Sequence, residues 1–241
     1  MTRKYYKWFS PSLYRHMELL VFGHAGASVL FFPTRTARFY DYENWKIVAS
    51  LQDKIEQGEL QLFCVDSVDA ESFYASIPAA DKIKRHLQYE RYILQEVLPL
   101  IMFRKNFTFL TAAGCSLGGY HAVNLAFKYP VFFNKVVSMS ARFDLTLSSD
   151  KFPDLFNGVI DEQVYYNMPS MYMEHLTDTA ILDQLRKLEI SLIIGREDPF
   201  YENNKHLSAV LTHKAIQHSL YVWDEEAHRP WHWRKMVRLY L

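Results

Sequence analysis

Residues 114–118 read Gly-Cys-Ser-Leu-Gly, and a further glycine follows at 119. The chain holds only 8 glycines in 241 residues, so three of them within six positions mark a backbone requirement. A serine on a sharp turn between a strand and a helix is held in a strained, exposed pose, from which its hydroxyl can attack a carbonyl. Residues two before and two after such a serine meet across the turn, and glycine removes the side chains that would collide. By this reading Gly114 and Gly118 clear the turn around Ser116, and Gly119 lets the helix pack close to the strand. The amide of Leu117, at a helix N-terminus, then faces the point where a carbonyl oxygen gains negative charge. A second amide for that oxygen is expected from the loop after "SVLFFP" (28–33). Pro33 has no N–H, which leaves Thr34 or Arg35.

A serine hydroxyl is a weak nucleophile until a histidine takes its proton, and the histidine needs a carboxylate to fix its tautomer. On a strand–elbow–helix scaffold the chain order is serine, acid, histidine. "ISLIIGREDPF" is an apolar strand followed by a turn, which puts Asp198 just past the strand end. "SLYVWDEEAHRPW" repeats the pattern and puts His228 past the next one. In open α/β sheets catalytic groups gather at the carboxyl ends of the strands, so Ser116, Asp198 and His228 are expected to converge there. Asp144, after the strand "KVVSMSA", is the rival acid. Glu197 reads as a solvated neighbour of Asp198. His121 lies more than a turn into the helix after Ser116 and reads as a buried, satisfied histidine, and His24 in "FGHAG" as a turn residue. Cys115 occupies the position before the exposed one.

Positioning these groups requires particular elements. Tyr5–Phe9 and Met17–Phe22 are expected to pair antiparallel. Apolar strands are expected at Ser28–Pro33, Leu60–Val65, Phe107–Ala113, Lys135–Ala141, Ile190–Gly195 and Ser219–Trp223. Helical spacing runs over Trp45–Ile55 (stopped by Gly58), Asp81–Phe103, the stretch from Leu117 to Pro130, Asn203–Thr212 and Trp231–Tyr240. This alternation implies an α/β fold with a mostly parallel sheet and helices on both faces. The rhythm breaks between Leu145 and Lys187, a stretch rich in Met and aromatic residues and cut by Pro153, Gly158 and Pro169. It is either a satellite core under a long loop or a helical cap over a pocket, with Tyr166, Met171 and Tyr172 as the candidate pocket residues. The whole of 1–241 is expected to form one domain carrying this cap at about 145–187.

Charge and composition narrow the partners. The 27 basic and 27 acidic residues cancel, and no basic block points to nucleic acid. No apolar run reaches the roughly 18 residues of a membrane span. The N-terminal segment lacks the apolar core of a signal peptide, and two cysteines, Cys64 and Cys115, make no disulfide framework. The cytoplasm is the expected compartment. Oligomeric state is left open.

The chain resembles the putative-esterase branch of the α/β-hydrolases, which includes esterase D (S-formylglutathione hydrolase), feruloyl esterases and mycolyl transferases. "MELLVFGHAGASVLFFPT" is similar to its first sheet strands and oxyanion loop, and "FCVDSVDAESFY" and "YERYILQEVLPLI" to the regions before the elbow. "GCSLGGYHAVNLAFKYPVFFNKVVSMSARFDL" resembles its elbow, helix and next strand. "GREDPFYENN" and "WDEEAHRPWHW" resemble its acid and histidine regions. The resemblance implies Ser116 as nucleophile, Asp198 as acid and His228 as base, acting on an acyl ester; the residues of the 145–187 stretch point to a small or apolar/aromatic acyl ester, and the triad chemistry calls for no metal or organic cofactor. The chain departs from the branch in carrying Arg229-Pro230 after the histidine. An acyltransferase with the same triad, or a non-catalytic binding protein on this fold, are the alternative readings.

Overall fold

The computed structural model describes residues 1–103 and 109–241. The described strands are β1 (Arg3–Ser10), β2 (Arg15–Phe22), β3 (Ala27–Phe32), β4 (Leu60–Val65), β5 (Leu110–Cys115), β6 (Lys135–Met139), β7 (Glu189–Gly195) and β8 (Ser219–Trp223). They join in one eight-stranded sheet of spatial order β1-β2-β4-β3-β5-β6-β7-β8. β1 pairs antiparallel with β2, and β2 with β4; every later pairing is parallel. The central parallel strands read as unbroken apolar runs because both their faces are covered; β4 and β5 are buried throughout. Edge strand β1 is mostly exposed and carries Arg3, Lys4 and Lys7, charges that discourage pairing with another chain.

The helices are α1 (Asp41–Asn44), α2 (Gln52–Glu56), α3 (Ala79–Tyr92), α4 (Leu98–Met102), α5 (Leu117–Lys128), α6 (Glu162–Tyr165), α7 (Pro169–His175), α8 (Thr179–Leu185), α9 (Tyr201–His213) and α10 (Pro230–Tyr240). Alternate strand residues feed two cores. Leu19, Val21, Leu30 and Phe63 pack with α3, α4, α5 and α9. Leu20, Phe22, Val29 and Leu62 pack with Tyr42, Leu51, Ile55, Met236 and Val237 on the opposite face. A third cluster, including Phe73, Leu117, Tyr120, Leu145, Phe156 and Met168, lies under the stretch between β6 and β7.

Two helices differ from their sequence reading. The expected helix over Trp45–Ile55 is broken: Lys46 takes a left-handed φ of 60°, and a 3₁₀ turn at Ala49–Leu51 precedes α2. Tertiary burial wins over local period here. Tyr42 is fixed by stacking on Phe31 at 3.9 Å. The chain must reverse after it to bury Ile47, Val48 and Leu51. The expected helix over Asp81–Phe103 runs from α3 into α4 through a π turn at Ile93–Val97. Pro99 follows that turn. It has no N–H to continue the ladder, and a wider turn absorbs the loss. The expected strand over Phe107–Ala113 is described from Leu110 and continues to Cys115; Phe107 and Thr108 lie outside the described residues.

The strand order sets the site. From β3 the chain moves to β4 on one side and then returns to β5 on the other, so the loops leaving the carboxyl ends of β3 and β5 part and a crevice opens between them. Phe32 at the end of β3 is opposite Gly114 near the end of β5.

Candidate active site

Ser116 stands between β5 and α5 with φ 55° and ψ −123°, a conformation that side-chain-bearing residues rarely adopt. Its surroundings hold it there. A Cβ on Gly114 would come within 2.2 Å of the Gly118 carbonyl carbon, and one on Gly118 within 2.2 Å of the Phe32 oxygen. A Cβ on Gly119 would meet Ser138 Oγ at 2.6 Å. The Ser116 amide donates to the Met139 carbonyl at 2.7 Å. The Tyr42 hydroxyl ties the elbow to β3, donating to the Phe32 carbonyl at 2.7 Å and accepting from the Cys115 amide at 3.0 Å. Burial pushes that phenol well above its ordinary range, so it stays a neutral donor.

Asp198 lies in the turn after β7. Its Oδ1 accepts from the Phe200 amide at 2.9 Å, and its Oδ2 meets His228 Nδ1 at 2.7 Å. The loop carrying His228 sits directly on the end of β7: a Cβ on Gly195 would be 2.1 Å from the Glu226 oxygen. Amides of Arg196 and Glu197 donate to the carbonyls of Trp223 and Glu225, stitching the acid turn to the histidine loop. Ser140 adds a clamp, its hydroxyl donating to the Ala227 carbonyl at 2.9 Å and accepting from Trp233 Nε1 at 3.1 Å.

His228 Nε2 lies 2.9 Å from Ser116 Oγ. The directions follow from chemistry. A carboxylate only accepts, so Nδ1 must carry the proton, which leaves Nε2 of a neutral ring free to accept from the serine hydroxyl. Asp198 and His228 are buried, at 4% and 8% exposure, whereas Ser116 is partly open. The relay therefore runs from a shielded acid to a reachable hydroxyl. The rival Asp144 is engaged elsewhere: its Oδ1 accepts from the amide and hydroxyl of Thr146 at 2.8 and 2.6 Å. His121 is buried, and its Nε2 meets Asp69 Oδ1 at 3.1 Å. Cys115 is fully buried, and burial raises its thiol pKa.

Ser116 opens into a cavity of about 600 Å³ lined by Thr34, Arg35, Phe152, His228, Arg229 and Trp233, among others. Thr34 and Arg35 are thus on the serine's side of the β3 loop. Leu117 opens α5, where a helix amide has no partner within its own helix. Tyr166, Met171 and Tyr172, the pocket residues expected from the sequence, are not in this cavity. Tyr166 and Tyr172 line a separate hollow with Phe127 and Tyr129, and Met171 lines another beside Asp144. The reason is packing: α7 turns Tyr172 and Met173 into the main core against α5 and α9. From the stretch between β6 and β7 it is Lys151 and Phe152 that reach the site, and the Phe152 ring packs 5.2 Å from that of His228. Phe152 belongs to the Met- and aromatic-rich stretch that the sequence offers as a pocket wall, whereas nothing in the sequence marks Lys151, because a loop has no period to read. Trp233 was more legible, lying five residues after His228 in "HRPWHW".

Among the described residues, no group of three His, Cys, Asp or Glu side chains is arranged to hold a metal ion, and no helix is long and apolar enough to cross a membrane.

Comparison with solved structures shows the same fold in several other proteins. A ferulic acid esterase superposes with a TM-score of 0.77 at 17% identity, covering 99% of this chain and 95% of that one. The S-formylglutathione hydrolase (FrmB) of Staphylococcus aureus gives 0.69 at 16% identity, covering 99% and 94%. MPT51 (FbpC1) of Mycobacterium tuberculosis gives 0.70 at 13%, covering 98% and 95%. No curated protein sequence matches the chain. The sequence model of the family described as Putative esterase matches residues 40–236, a span that includes the serine elbow, the acid turn and the histidine loop. With that match over most of its length, the chain belongs to the Putative esterase family, on the α/β-hydrolase fold, and is a serine carboxylic-ester hydrolase.

Proposed function

We propose that the chain hydrolyses small-molecule carboxylic esters through an acyl-enzyme on Ser116, within one α/β-hydrolase domain spanning 1–241. His228 takes the hydroxyl proton as Ser116 Oγ bonds to the ester carbonyl carbon, and gives that proton to the alcohol as the ester C–O bond breaks. Water then attacks the acyl-serine, His228 taking its proton and returning it to Ser116 Oγ. Asp198 holds the ring with Nδ1–H in place and stabilises its charged form. The Leu117 amide and the amide of Thr34 or Arg35 hold the oxyanion that forms in each half. The observation that carries this reading is the continuous relay at the rim of the cavity, 2.7 Å from Asp198 to His228 and 2.9 Å from His228 to Ser116. Intact-mass analysis after a fluorophosphonate is expected to show one adduct, on the peptide containing Ser116 and absent from Ser116→Ala. An adduct on Cys115, or none with a range of such probes, would refute it.

A further inference from the structure

Five charged side chains line the cavity in front of Ser116: Arg35, Lys151 and Arg229 against Asp41 and Glu226. Lys151 and Glu226 satisfy each other. Lys151 Nζ lies 2.7 Å from Glu226 Oε2, and that hydrogen bond, with Arg229 and His228 adding attraction, holds the Glu226 carboxyl below its usual range. Asp41 uses its oxygens locally, Oδ2 accepting from the Arg38 amide at 2.8 Å and Oδ1 from Asn44 Nδ2 at 3.4 Å. The two guanidiniums remain. Among the described residues neither Arg35 nor Arg229 has a carboxylate partner at ion-pair distance.

Arg35 is held by rings instead of by charge. Its guanidinium carbon lies 5.7 Å from the Tyr74 ring centre and 5.9 Å from that of Phe152. Stacking leaves the N–H edge of a guanidinium free to bond. Phe152 also packs on the His228 ring, so Arg35 stands one ring away from the base. Arg229 follows His228 directly in the chain and opens the turn into α10. Three cations against two carboxylates leave the cavity lining one charge positive, with Arg229 attracting Glu226 only from beyond ion-pair distance, and an oxyanion that accepts from both guanidiniums relieves it. A cavity of about 600 Å³ has room for an ester and a charged group beside it.

We propose that the ester substrate carries an anionic oxygen group, carboxylate or phosphate, which Arg35 and Arg229 hold while the ester carbonyl lies at Ser116. The inference rests on the catalytic reading above and adds the chemical class of substrate.

The test compares matched pairs of esters at low ionic strength. Mono-(4-nitrophenyl) succinate against its methyl ester places a carboxylate on the acyl side. 4-Acetoxybenzoate against its methyl ester places one on the alcohol side. 4-Acetoxyphenyl phosphate against its dimethyl ester distinguishes phosphate from carboxylate. At least one anionic member is expected to exceed its neutral partner about tenfold in kcat/KM, with the ratio falling toward one in about 0.5 M salt as the exposed charges are screened. In the double variant Arg35→Gln/Arg229→Gln the ratio is expected to fall about threefold or more, since a charged hydrogen-bonding pair is replaced by neutral amides. Neutral esters turned over as fast as the anionic ones in every pair, or a smaller change in the double variant, would overturn the inference alone. Absence of turnover on every ester, neutral ones included, would take down the catalytic reading and this inference with it.

Discussion

At the scale of single residues, one hydrogen bond favours Asp198 as the proposed acid. Two aspartates follow sheet strands and either position suits a triad acid, but Asp198 Oδ2 meets His228 Nδ1 at 2.7 Å while Asp144 caps the turn to Thr146. Replacing Asp198 by Asn removes the acceptor that fixes the ring tautomer, so turnover of an aryl ester should drop by about 10⁴-fold with the fold intact. Asp144→Asn should cost far less, because it loses only local turn bonds. Steady-state rates of the two purified variants, with circular dichroism to confirm folding, check this; a reversal would assign the acid to Asp144. Tyr42 belongs to the same scale. Its single hydroxyl joins the end of β3 to the residue before Ser116, so the oxyanion loop and the elbow are spaced by one buried group.

At the scale of elements, the elbow works only if α5 and the end of β3 approach to backbone contact. A Cβ on Gly118 would lie 2.2 Å from the Phe32 oxygen and 2.6 Å from the Pro33 oxygen, both main-chain atoms. Gly118→Ala must therefore push the loop bearing Thr34 away from the elbow. It is expected to cost about 1–3 kcal/mol of stability, as overpacking of a rigid site does, and to lower kcat through the displaced amide. Gly158→Ala is the control. Its φ is +77°, but nothing lies within 4 Å of the added Cβ, so only the backbone cost of about 1 kcal/mol is expected. Urea unfolding of both variants measures the difference; a loss at Gly118 no larger than that at Gly158 would mean that contact with the end of β3 does not set the requirement there.

At the scale of the whole molecule, a buried polar cluster beneath the elbow ties folding to pH. The His86 ring packs on Phe73 at 4.7 Å, on His121 at 5.5 Å and near Tyr120. Burial, with repulsion from His121 and Lys128, holds its pKa well below the ordinary 6.5. The unfolded chain takes up that proton near pH 6.5 and the folded chain does not. The contribution to stability is thus fully present above about pH 6.5 and is lost on acidification, by about 1.4 kcal/mol per pH unit. His86→Phe removes this one proton. The stability gap between wild type and variant should therefore shift in the variant's favour by about that amount between pH 6 and 5. Denaturant titrations at pH 7.5, 6 and 5 test it, and parallel pH dependences would rule it out.

The sequence by itself determined the elements whose signals are local. The buried strands, the glycines around Ser116 and the chain order of serine, acid and histidine can all be read from residue types and spacing, because each constraint acts within a few residues. The break at Lys46 could not be read, since the local period favours a continuous helix and only the burial of Ile47 and Val48 around a fixed Tyr42 overrides it. The choice between Asp198 and Asp144 likewise needed the pairing of β7 with β8, which sets the acid turn against the histidine loop. The lining of the cavity was the least legible. Tyr166, Met171 and Tyr172 are pocket residues by type, yet Tyr166, just after α6, and Met171 and Tyr172, on α7, line other surfaces, and from this stretch Lys151 and Phe152 stand at the site. Which side of a loop faces a serine more than thirty residues away in the chain is decided by long-range packing, and no local pattern encodes it.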